Sequence, residues 1–116
     1  MSEQDSILTA KIEMLRRTFI EKLAERRSTM AGAVETFMQA SDAATRREAL
    51  EALEHVAHQI SGSGALFGCE PLGLAAETLE RTCRETRVAP LSPGLETKLA
   101  RDWRATADLI DTAQRA

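Results

Sequence analysis

Two histidines and two cysteines, His55, His58, Cys69 and Cys83, are the side chains in this sequence best suited to covalent or metal chemistry. The cysteines lack CxxC spacing and read as reduced, semi-buried thiols. Neither is expected beside His58, which argues against a Cys–His nucleophilic pair. The histidines stand at i and i+3 on one predicted helix, whereas a di-iron bundle draws a Glu-x-x-His from each of two helices. On that ground no metal and no cofactor are expected. No Walker-type glycine loop is present, so ATP binding and self-phosphorylation are not expected either. What remains is the chemistry of an imidazole. With an unperturbed pKa of about 6.5, a histidine near neutral pH is mostly a free nucleophile.

His58 has the better setting of the two. It precedes Gly62, Gly64 and Gly68, and a glycine inside a helix costs about 1 kcal/mol relative to alanine, so the cluster needs a packing or functional reason. In helical projection Leu53, Val56, Ala57, Ile60, Gly64 and Phe67 share one side. His58 lies roughly 140° from the centre of that stripe, facing water. Gly62 at i+4 and Ala65 at i+7 share its face and leave open ground beside the ring. His55 has Gln59 at i+4 instead and reads as an ordinary solvated residue. Glu54 at i−4 is expected to accept a hydrogen bond from one nitrogen of His58 and leave the other pointing outward. Gly64, on the apolar stripe, reads as a packing position that admits a neighbouring helix.

The elements that must hold this stretch are all helical. Leu8, Ile12, Leu15, Phe19, Leu23, Met30, Val34 and Phe37 recur at helical spacing from Ser6 to about Ala40, and no strand-like alternation occurs. Because this run is long for one helix, a break is expected between Leu23 and Met30, where Arg26-Arg27-Ser28-Thr29 interrupts the stripe. Ser41-Asp42 caps a second helix running from about Ala43 to Leu66, with Gly68 as its left-handed stop. Glu70-Pro71 opens a third, which buries Leu72, Ala75, Ala76, Leu79 and Cys83. Ser92-Pro93 opens the last, which buries Leu95, Leu99, Trp103, Thr106 or Ala107, and Ile110. Such short connections predict an all-α, antiparallel up-down four-helix bundle with an extra N-terminal helix or helical extension, forming one domain over residues 1–116.

Composition agrees with a single globular domain. At 116 residues the chain can bury roughly two thirds of its unfolded surface. The net charge of −3 is spread along the chain, so nothing argues for nucleic acid. Lys11, Arg16, Arg17, Lys22, Arg26 and Arg27 read as a solvated face. The acidic start, Ser2 to Asp5, is unlike a signal peptide, and no apolar run reaches the roughly 20 residues of a membrane span. A cytoplasmic monomer is expected.

His58-x-Ile60-x-Gly62-Ser63-Gly64-x-x-x-Gly68, followed by Leu72 and Leu79-Glu80, resembles the histidine-containing phosphotransfer (HPt) domain family. The resemblance covers about 25 residues at motif level. It implies a phosphorelay intermediate with His58 as phosphoacceptor, supported by Glu54, Gln59, Ser61, Gly62 and Ala65. The implied partners are response-regulator receiver domains, together with a hybrid histidine kinase. Mg²⁺ is expected only at the receiver's own site. One position departs from the family pattern: Ser61 stands where the family usually has Lys or Arg. A neutral hydroxyl donor is worth about half of a charged one, so the charge comes from the partner or transfer is weakened. The alternative reading is a non-catalytic module that docks receiver domains through the same face.

Overall fold

A computed structural model describes residues 2–90 and 92–115. Among these the chain forms four helices: α1 (Glu3–Gln39), α2 (Ala43–Gly64), α3 (Glu70–Val88) and α4 (Pro93–Arg115). α1 packs on α2 and α4, and α3 packs on the same two, so the helices form a ring in chain order with empty diagonals. This is the expected up-down bundle. No helix of the described residues is long and apolar enough to cross a membrane.

Local chemistry sets each boundary. Ser2 caps α1 in a reciprocal box with Asp5, satisfying two otherwise orphaned donors. Asp42 caps α2, its carboxylate accepting from both the backbone N and the hydroxyl of Thr45 at 2.8 Å. Those bonds hold the Asp42 carboxyl below its usual pKa. Regular α2 ends at Gly64, two residues before the expected Leu66, because its last turn tightens into a Schellman closure. Cys69 N donates to Gly64 O at 2.7 Å and Gly68 N to Ala65 O at 3.4 Å, with Gly68 at φ +78° in the left-handed position. Pro71 lies in the first turn of α3. Ser92 caps α4 through a 3.3 Å bond from Leu95 N.

The expected break in α1 does not occur; the helix runs unbroken for 37 residues. Ser28 and Thr29 are exposed and remain helical, which costs only a few tenths of a kcal/mol each in propensity. The bases before them are not simply a solvated face. Arg27 forms a two-pronged pair with Asp111 of α4, at 2.8 and 3.2 Å, and its guanidinium lies 5.9 Å from the centre of the Trp103 ring. Arg16 donates from Nε to Phe67 O at 3.0 Å. The extra N-terminal element is therefore an extension of α1, not a separate helix.

The core is supplied by one stripe from each helix. Phe19, Leu23, Met30 and Phe37 enter it from α1, Leu53 and Ile60 from α2, Leu79 and Cys83 from α3, and Leu99 and Ile110 from α4. Leu8, Ile12 and Leu15, expected on the same stripe, are exposed, because the bundle ends before it reaches them. In α4, both Thr106 and Ala107 are buried while Leu95 and Trp103 are half-buried. Asp102 is buried as well, accepting a 2.6 Å bond from the Thr82 hydroxyl. Cys69 and Cys83 are free thiols. Burial pushes the Cys83 thiol up to about 12, with Glu54 adding in the same direction.

Candidate functional site

His58 lies a turn and a half before the end of α2, and its side chain is 72% exposed. The open ground beside it is as expected: a Cβ added at Gly62 would meet nothing within 4 Å beyond the backbone of its own helix and its chain neighbours. Two residues on, Gly64 serves the opposite face. A Cβ there would come within 2.8 Å of Gly73 Cα and 2.9 Å of Gly73 N. α2 and α3 thus cross at a glycine–glycine contact, which brings the α3 backbone close enough to offer side chains to His58.

The side chain offered is Glu80. Its Oε2 lies 2.8 Å from His58 Nδ1, and its own side chain is only 11% exposed. The sequence-based expectation that Glu54 would hold the ring is corrected here. Glu54 is instead drawn to α3, with Oε1 3.0 Å from Arg87 Nη1 and Oε2 3.9 Å from Arg84 Nε. The Glu54–Arg87 contact is an ion pair off hydrogen-bond alignment, since that shielded oxygen has no hydrogen-bond partner. Arg84 also reaches Glu80, its Nη2 lying 3.0 Å from the same Oε2 that meets the imidazole. The result is a row of alternating charge across the α2–α3 seam, ending at the ring.

An ionised carboxylate only accepts, so Glu80 draws the proton of a neutral imidazole to Nδ1. Nε2 then carries the free lone pair, and the ring is held in one orientation while most of it stays in water. That arrangement suits a nucleophile whose electrophile arrives on another molecule.

The other expected site residues fall into two groups. Glu54, with Glu51, His55, Glu80 and Arg87, lines the open depression beside His58. Gly62 and Ala65 are exposed. Gln59 is turned away: its amide lies 3.4 Å from His55 Nε2, and it lines a groove against α1 with Lys22 and Arg26. Ser61 spends its hydroxyl proton on its own helix, donating to His58 O at 3.0 Å. Glu80, Arg84 and Arg87 were not singled out as site residues from the sequence. Glu80 was visible only as half of the Leu79-Glu80 pair, and Arg84 and Arg87 follow it at i+4 and i+7 on α3. No group of three or more His, Cys, Asp or Glu able to hold a metal occurs among the described residues.

The four helices thus present one solvent-facing histidine whose ring is held across a glycine–glycine helix crossing. A sequence model of the Hpt domain matches residues 14–116, and the chain belongs to that family. No match was found among curated proteins or among solved structures.

Proposed function

We propose that this chain is a phosphoryl carrier of a two-component phosphorelay, with His58 Nε2 as the acceptor. The lone pair of Nε2 attacks the phosphorus of an aspartyl phosphate on a receiver domain. The P–O bond to that aspartate breaks, and the aspartate leaves as a free carboxylate. The ring retains its Nδ1 proton and becomes a phosphorylated imidazolium, whose positive charge faces the Glu80 carboxylate. Reversal of the step onto a second receiver completes the relay. The Mg²⁺ this chemistry uses belongs to the receiver, and the carrier has no kinase activity of its own. The observation that supports this reading best is the 2.8 Å contact between Nδ1 and Glu80 on a ring that is 72% exposed.

The negative charge of the transferred group needs a cation, and Ser61 does not provide one. Arg84 does in this reading. Its side chain is 54% exposed and already bound to the carboxylate that holds the ring, so it needs only to swing outward to meet phosphoryl oxygens. The same reading puts the chain in the cytoplasm, where receivers are phosphorylated, with a hybrid kinase as a further partner. The Ser61 hydroxyl, turned back onto its helix, favours one rival: a module that docks receivers without accepting phosphate. Incubation with a phosphorylated receiver separates the two. Acid-labile, alkali-stable phosphate on the wild-type chain that is absent from His58→Ala is the expected result. Receiver binding with no label on the wild type supports the docking module instead.

A further inference from the structure

The depression beside His58 holds two carboxylates and two guanidiniums, set as rungs across the α2–α3 seam. Glu54 and His58 stand at i and i+4 on α2, and Glu80, Arg84 and Arg87 at i, i+4 and i+7 on α3, so each set shares a face. Arg84 reaches both carboxylates, with Nη2 3.0 Å from Glu80 Oε2 and Nε 3.9 Å from Glu54 Oε2. Arg87 takes the other oxygen of Glu54, its Nη1 lying 3.0 Å from Oε1. The two arginines are not equivalent. The Arg84 side chain is 54% exposed and that of Arg87 26%, so the first can swing into water while the second is half-buried.

Transfer changes what each carboxylate faces. Before it, the ring is neutral and Arg84 supplies the cation for Glu80. After it, the imidazolium faces Glu80, and Arg84 can leave for the phosphoryl oxygens without stripping that carboxylate of its counter-charge. Glu54 is the competitor. Its Oε1 is shielded from solvent and has no hydrogen-bond partner, so Arg87 is its main counter-charge, and a shielded charge left unpaired is costly. Without Arg87, the cation remaining at Glu54 is Arg84. Closing that 3.9 Å gap would hold the guanidinium against α2, away from the phosphoryl group.

We propose that Arg87 is a positioning residue for phosphoryl transfer: by occupying Glu54 it leaves Arg84 free to follow the phosphoryl group onto His58. This role rests on the reading of His58 as acceptor and Arg84 as its cation. It adds that Glu54 opposes the phosphorylated state and Arg87 favours it, both through Arg84. Neither side chain touches the reacting atoms. Charge acting at a distance would give the same two signs, so dependence on Arg84 is the distinguishing feature.

The share of phosphate on His58 of the full chain, at equilibrium with one phosphorylated receiver and Mg²⁺, tests this. At concentrations too low for the two proteins to stay bound, that share does not depend on how well the receiver docks. Glu54→Gln should raise the ratio of phosphohistidine to aspartyl phosphate about threefold, and Arg87→Met should lower it about threefold, the size expected of partly exposed ion pairs. Arg87→Lys, which keeps a cation for Glu54, should stay near the wild type. In an Arg84→Gln background both changes should all but vanish. Circular dichroism at the assay temperature checks that each variant is folded. Glu54→Gln, whose expected gain cannot come from loss of fold, keeps the test valid if Arg87→Met unfolds. Changes that persist at full size without Arg84 overturn the proposal. So does a Glu54→Gln variant that lowers the ratio, or an Arg87→Lys variant as low as Arg87→Met. A wild type that takes no phosphate removes the acceptor reading itself, and this role with it.

Discussion

At the scale of single residues, the proposed transfer turns on a carboxylate from one helix and a ring from another. Glu80→Gln keeps the shape of the contact and can still accept from Nδ1, but it removes the charge that faces the phosphorylated imidazolium. Charge-assisted bonds exceed neutral ones by about 1–1.5 kcal/mol, so transfer should slow about tenfold, with the melting temperature little changed. Single-turnover transfer from a phosphorylated receiver measures this, and a full rate would remove Glu80 from the chemistry. Ser61→Lys tests the missing cation. The position lies at the edge of the site, so stability should stay within about 0.5 kcal/mol. The phosphohistidine should live longer, because an ammonium joins Arg84 at the phosphoryl oxygens. An unchanged lifetime would mean that Arg84 or the partner already supplies the charge. Glu54 shows why this part of the site was only partly legible in the sequence. The i−4 spacing is a rule about one helix, whereas the carboxylate that holds His58 comes across a seam whose closeness depends on Gly64 meeting Gly73.

At the scale of elements, Gly62 and Gly64, two residues apart on opposite faces of α2, should respond oppositely. Gly62 faces open space, so Gly62→Ala should stabilise the fold by about 1 kcal/mol through helix propensity alone. Gly62→Gln should also fold, yet crowd His58 and slow transfer strongly. Gly64→Ala places a methyl group 2.8 Å from Gly73 Cα, where backbone must move, and should cost about 1–3 kcal/mol. Thermal melts paired with a transfer assay check all three. A destabilising Gly62→Ala or a harmless Gly64→Ala would reverse the assignment of faces. These positions were readable in advance because helical projection needs only the sequence. So were the caps at Asp42 and Ser92 and the stop at Gly68, each of which uses chemistry within a few residues. The continuity of α1 was not readable. Ser28 and Thr29 are as compatible with a cap as with a solvent-facing turn, and what favours the turn is Arg27 held by Asp111, 84 positions along the chain.

At the scale of the whole molecule, the bundle closes around one thiol. Cys83 is fully buried among the four helices, and its pKa is pushed up to about 12, so at pH 8 it is neither accessible nor ionised. A thiol reagent in excess should modify half-buried Cys69 readily. It should reach Cys83 only at the rate of global opening, so that added denaturant speeds the second reaction in step with unfolding. Rapid modification of both thiols in the native protein would show that the core opens locally. The same packing of α2 on α3 fixes which ring nitrogen of His58 is free. That is the central claim, and long-range ¹H–¹⁵N NMR of the intact chain after phosphorylation by a receiver tests it most directly. The expected product carries phosphorus on Nε2 of His58, with the Nδ1 proton retained and facing Glu80. Phosphorus on Nδ1, or a His58 ring whose nitrogens are unchanged, would contradict it.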